Sequence, residues 1–177
     1  MDEILARTAA ELAPVVVSEY DDEWPRLFAR IAEPVRRALG DVAAAVEHVG
    51  STAVPGLAAK PVIDVDVVVR SAADVPVAVE RLRGLGYVYQ GDKGIPGREA
   101  FARPRGAPRH HLYVVVAGSA PHADHLAFRD YLREHPDVAR EYAALKRELA
   151  NRHAGDREAY TDAKADFVAR VLAAARR

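Results

Sequence analysis

The sequence predicts a mixed α/β (α+β) fold, on three observations. Valine-rich runs of strand length stand between turns marked by glycine and proline, segments with apolar residues at helical spacing alternate with them, and from Pro121 onward the pattern is helical alone. Residues 1–13 suit a short helical lead-in, and residues 14–20 (PVVVSEY) read as a β-branched strand. Asp21 or Asp22 can cap the next element, where Trp24, Leu27, Phe28, Ile31, Val35 and Leu39 recur at helical spacing. Pro25 is tolerated in its first turn, Pro34 is expected to kink it, and Gly40 ends it. Residues 42–49 and 61–69 read as strands, and Ser71-Ala72-Ala73-Asp74 resembles a capping box that opens a helix stopping at Gly84 and Gly86. Residues 87–90, 98–103 and 110–117 are further strands, and three helices are expected near 121–134, 136–152 and 156–175, punctuated by Pro136 and Gly155. The organisation expected is one domain over 1–177, with a mixed sheet core at about 14–118 and C-terminal helices at about 121–175.

Composition narrows the function classes. A chain of 177 residues with 50% hydrophobic residues can bury a core, which excludes disordered and collagen-like classes. The formal net charge of −1 supplies no global basic field for non-specific nucleic-acid binding, so any contact with a polyanion has to be local. The absence of cysteine rules out disulfides, thiolate metal sites and a cysteine nucleophile. The N-terminus is acidic and no apolar run approaches membrane-spanning length, so a cytoplasmic, non-membrane protein is expected.

The chemistry concentrates in the stretch His48 to Asp66, HVGSTAVPGLAAKPVIDVD. Strand alternation puts Asp64 and Asp66 on one face with α-carbons roughly 7 Å apart, close enough to bracket a divalent cation. Two like charges in a partly buried place need a cation or a basic partner. Gly50-Ser51 supplies the complement, because glycine lets the backbone approach a ligand while the serine hydroxyl and successive N–H groups hold an anion. Thr52 is a further candidate, and Pro55-Gly56 keeps any helix that follows very short.

Gly50-Ser51 followed by Asp64-x-Asp66 resembles the signature of the polymerase β-like nucleotidyltransferase superfamily. The longer string, with Thr52, Val54-Pro55-Gly56-Leu57 and Lys60-Pro61, is similar to the GrpB family within it. The likeness extends to Tyr20-x-x-x-Trp24-Pro25, His110-His111-Leu112, Phe128-Arg129-Asp130-Tyr131-Leu132, Tyr142-x-x-x-Lys146 and Tyr160-x-x-x-Lys164, covering about residues 14–170. The resemblance implies a mixed sheet with packed helices and a helical region lining a cleft. It also implies NTP as substrate and two Mg²⁺ (or Mn²⁺) ions held by three acids, which activate an acceptor hydroxyl and stabilise the pyrophosphate leaving group. The strand expected to carry the third acid, HHLYVVV, has no Asp or Glu; His111 or His110 could bind a metal or phosphate there, with Glu99 as a weaker substitute.

Asp64 and Asp66 are thus the candidate catalytic and metal-binding residues, with His111 as a further metal ligand. Gly50, Ser51, Thr52, Lys60, Arg109, His111, Lys146 and Lys164 are the candidate phosphate contacts. Arg109 and His111 belong to a local basic cluster with Arg98, Arg103, Arg105 and His110; Lys146 and Lys164 each follow a tyrosine at i,i+4, and the resemblance places them at the cleft. His48 sits beside the turn as structure or pocket wall, and His122-x-x-His125, without a third ligand nearby, reads as surface. The leading expectation is a metal-dependent nucleotidyltransferase acting on an NTP and an unidentified small-molecule or protein hydroxyl. A non-catalytic protein binding a nucleotide or phosphometabolite is the alternative, metal-assisted phosphoester hydrolysis a third, and nucleic-acid binding the last.

Overall fold

In the computed structural model, which describes residues 15–153 and 155–177, five strands form one sheet in the order β1-β2-β5-β4-β3. The strands are β1 (Ala43–Val49), β2 (Ile63–Val69), β3 (Val88–Tyr89), β4 (Arg98–Ala102) and β5 (His110–Val116). β2 pairs antiparallel with β1 and parallel with β5, and β4 pairs antiparallel with β5 and with β3. The valine run of β2 thereby takes a central place, covered on both faces, as a near-continuous apolar strand should be.

Helices α1 (Glu23–Leu39) and α2 (Val75–Gly84) cover one face. Trp24, Ile31, Val35 and Leu39 of α1 pack there with Ile63, Val65, Val67 and Val69 of β2 and with Leu112 and Val114 of β5. Each of those strand residues is nearly fully buried, worth about 1.5–3 kcal/mol per large side chain. The other face carries Asp64, Asp66 and Val68 of β2, in register with Val49, Glu47 and Ala45 of β1 and with His111, Tyr113 and Val115 of β5. On it packs α3 (Ala120–Glu134), against which α4 (Pro136–Arg152) and α6 (Ala165–Ala175) lie in turn, with α5 (Arg157–Asp162) between those two in the chain. A second core, including Val54, Leu57, Leu132, Tyr142 and Phe167, joins these helices to the segment that follows β1.

Several local expectations are corrected. The proposed lead-in helix at 1–13 lies outside the described residues. The strand expected at 14–20 reduces, in its described part, to one bridge between Ser18 and Ala59, since Pro61 soon follows and has no N–H to extend a ladder. α1 runs through Pro34, which lies on the solvent side where water can replace the missing donor. The 87–90 strand shortens to Val88–Tyr89 between Gly86 and Gly91, both at positive φ. The last helix is broken at Ala163–Lys164 into α5 and α6. The capping box ahead of α2 forms as expected, with the Ser71 N–H donating to Asp74 Oδ2 at 3.0 Å.

Candidate functional site

The cleft lies at the end of β2 that follows the loop from β1. Gly50 ends β1's course with φ +72°, and a Cβ placed on it would stand 2.3 Å from Asp64 Oδ2, so only glycine lets the turn press against this acid. Ser51–Ala53 form a single 3₁₀ turn, too short to contribute a helix dipole of consequence. A cavity of about 230 Å³ opens here, lined by Ser51, Thr52, Lys60, Asp64, His111, Lys146, Tyr160 and Lys164 among others. Seven of the sequence-selected residues are therefore gathered from the 3₁₀ turn, the loop before β2, β2, β5, α4 and the α5–α6 junction. Arg109 is exposed and is not among the lining residues; its backbone carbonyl accepts a hydrogen bond from Ile63 at 3.1 Å and so anchors the head of β5 to β2.

Three ammonium groups converge on this cavity. Lys60 and Lys164 lie over the Tyr160 ring at 5.2 and 4.5 Å, and Lys146 lies over the Tyr142 ring at 4.4 Å. Lys146 is 2% exposed, and its Nζ is buried without a hydrogen-bond partner. Burial, aided by the charges of Lys164, Arg147 and Lys60, pushes its pKa down to about 7. Lys164 is pushed down to about 8, again by burial first and by Lys60 second. Tyr160, wholly buried, also leaves its hydroxyl unpartnered. An anion in the cavity would relieve this arrangement, because it offers acceptors to donors that have none and opposes the repulsion among the lysines.

The two aspartates behave differently. Asp64, partly exposed, accepts from His111 Nδ1 at Oδ1 over 2.9 Å. Asp66 is fully buried; its Oδ2 lies 2.7 Å from Nδ1 of His125 on α3, and its Oδ1 has no partner. Burial of the His125 ring works against protonation, yet the hydrogen bond and charge of Asp66, with the charge of Asp64, outweigh it and raise the His125 pKa. His125 thus belongs to the site, not to the surface. Glu99 does not: it is in register with Val114 on the face opposite the aspartates and accepts from the Tyr89 hydroxyl at 2.6 Å. His110 also faces away from the cleft, with its Nε2 2.8 Å from the Tyr87 hydroxyl and its Nδ1 2.7 Å from Pro108 O.

Thr52 lines the cavity but is 1% exposed, with its Oγ1 2.9 Å from His48 Nε2 and 3.5 Å from the carbonyl of Val62. Burial depresses the pKa of His48 to about 4, so the ring is neutral; its Nε2 shares a hydrogen bond with the Thr52 hydroxyl and the ring stacks on Phe28. The pair braces the turn. Sequence reasoning also passed over Glu47, Tyr113 and the role of Arg129. The readable signal was on α3, where His125, Arg129 and Arg133 recur at i, i+4 and i+8 on one face.

The donor set fits one divalent ion better than two. Each aspartate has one oxygen engaged by a histidine, Asp66 Oδ1 is buried without a partner, and among the described residues no group of three or more ligating side chains forms a cage. A hard cation bound by two carboxylates would complete its shell with water and ligand phosphate.

This is a nucleotidyltransferase-type fold. The poly(U) polymerase Cid1, in a structure bound to MgATP, matches 77% of this chain and 45% of its own with a TM-score of 0.55 at 13% identity, a likeness of fold alone. The chain belongs to the GrpB family, whose model (GrpB protein) matches residues 14–174. The crystal structure of the conserved protein GrpB from Enterococcus faecalis superposes with a TM-score of 0.82 at 34% identity, over 90% of this chain and 96% of that one. The Bacillus subtilis UPF0157 protein YqkA is 36% identical over 84% of this chain, and the Pseudomonas aeruginosa UPF0157 protein PA4798 is 45% identical over 86%. The chain spans 43% and 64% of the length of these two relatives. Among the described residues, no helix is long and apolar enough to cross a membrane.

Proposed function

We propose that this chain binds the phosphates of a nucleoside triphosphate in the lysine-lined cleft and transfers the nucleoside monophosphate to a hydroxyl of a small molecule or protein. The observation that carries the reading is the buried, unpartnered ammonium of Lys146, set with Lys60 and Lys164 around Ser51 and Asp64. In the transfer, the acceptor oxygen bonds to the α-phosphorus, the α–β bridging P–O bond breaks, and pyrophosphate leaves. The lysines hold the charge of the departing phosphates, and the Ser51 hydroxyl and adjoining backbone N–H groups orient them. With Nδ1 donating to Asp64, His111 keeps its lone pair on Nε2, and its exposed side takes the acceptor's proton. Mg²⁺ or Mn²⁺ held by Asp64 and Asp66 would supply Lewis-acid neutralisation of phosphate charge.

The test is incubation with α-labelled NTPs, Mg²⁺ or Mn²⁺ and a panel of hydroxyl acceptors. Labelled acceptor and pyrophosphate should appear in equal amounts, and Asp64→Asn with Asp66→Asn should abolish both; turnover unchanged by that double substitution would defeat the assignment. One observation favours a second reading, binding without turnover: β5 carries His111 and Tyr113 beside the aspartates and no carboxylate. Nucleotide binding in calorimetry with no pyrophosphate released for any acceptor would select it.

A further inference from the structure

α3 is pinned to the acid-bearing face at three levels by one stripe of basic residues. His125 reaches Asp66 on β2 at 2.7 Å. One turn on, Arg129 donates through Nη1 to Glu47 Oε2 at 2.9 Å and to the His48 carbonyl at 3.1 Å, both on β1. A turn further, Arg133 Nε donates to the carbonyl of Ala53 at 2.9 Å, in the 3₁₀ turn that holds Ser51. The i, i+4, i+8 spacing aligns the three contacts along one helix face, so the position of His125 is set by the whole strut and not by its own hydrogen bond alone.

We infer that His125 is a positioning residue: by hydrogen-bonding Oδ2 it fixes the Asp66 carboxylate with Oδ1 unpartnered and presented for coordination, so that Asp64 and Asp66 take up a single divalent cation and not a pair. The inference rests on the proposed function only in assigning the two aspartates to a cation. On Asp64 the same device recurs, with His111 on Oδ1 and Oδ2 lying against Gly50. Two oxygens, one from each acid, can share one ion whose remaining positions go to ligand and water, whereas a second ion lacks a carboxylate, because Glu47 in the neighbouring register is committed to Arg129. A hydrogen-bond partner of a ligating side chain commonly governs metal affinity by about 10–100-fold.

Mn²⁺ titration of the full chain without nucleotide, followed through the free-ion electron paramagnetic resonance signal, tests this. One ion per chain is expected. His125→Ala should weaken it at least about tenfold, and His125→Asn, whose amide N–H can stand where Nδ1–H stood, should restore most of the affinity. A merely structural His125 would lower the melting temperature in both variants without moving the Mn²⁺ affinity of the folded protein. That result, two ions per chain, or no Mn²⁺ bound at millimolar concentration would overturn the inference. Nucleotide binding is measured separately and without metal, so failure of the proposed function shows as absent nucleotide binding while Mn²⁺ stoichiometry stands.

Discussion

Lys146 carries an ammonium that folding has taken out of water and left without a hydrogen-bond acceptor, a cost that a ligand's negative charge would offset. Lys146→Met should therefore stabilise the unliganded protein, by about 1 kcal/mol or more, while weakening phosphate binding; urea unfolding of both proteins checks the first half. The pH dependence has a definite sign. Below about pH 7 the amine is protonated in both folded and unfolded chains, and the penalty for burying its charge is complete. Between about 7 and the ordinary value of 10.5 the unfolded chain holds a proton that the folded one lacks, so stability from this residue rises with pH, and Lys164, at about 8, adds the same sign. The rise between pH 7 and 10 should shrink in Lys146→Met. For the same reason tripolyphosphate binding at pH 8 should take up protons, seen as calorimetric heats that vary with buffer ionisation enthalpy. Gly50→Ala places a methyl against Asp64 at φ +72° and should cost about 1–3 kcal/mol in backbone strain alone, a loss read from the denaturation midpoint.

Among the elements, α3 matters most to the site while contributing none of its expected residues. Arg129, only 12% exposed at its side chain, ties the helix to Glu47 and the β1 backbone. Arg129→Met should destabilise by about 2 kcal/mol, short of the ~3–5 kcal/mol for a fully buried pair because Glu47 is one-third exposed. Chemical denaturation measures it, and Lys146 affinity for phosphate should survive in the folded fraction. Strands and helices with strong periodicity were legible: β2 from its valines, α1 from Trp24 to Leu39, and α2 from its capping box. The edge pieces were not, because the described part of residues 14–20, and residues 87–90, have strand composition but find partners too short, or too interrupted by glycine and proline, to sustain a ladder. The break between α5 and α6 was equally hidden, since the apolar helical spacing in the sequence runs on from Tyr160 to Phe167 while the two residues enter different cores.

At the scale of the whole molecule, a net charge of −1 coexists with a cleft into which three lysines are folded from a loop, a helix and the turn between two helices. The half of the site that is local in sequence, Gly50 to Asp66, was readable because alternation and turn chemistry act over a few residues. The other half depends on packing. The parallel pairing of β2 with β5 sets His111 opposite Asp64 and turns His110 to the far side, and only the docking of α3 brings His125 to Asp66. Thr52 had the right neighbours in sequence, yet its hydroxyl is tied to His48 by a contact no spacing rule reveals.

Whether the lysine cleft takes the phosphates of a nucleotide is decided by calorimetric titration of the wild-type chain and Lys146→Met with a non-hydrolysable NTP at pH 7. One site per chain is expected in the wild type, with an affinity at least about tenfold weaker in the variant, the ~1.4 kcal/mol scale of one charge-assisted contact. Absence of binding at millimolar nucleotide, or binding of equal strength in the folded variant, would contradict it.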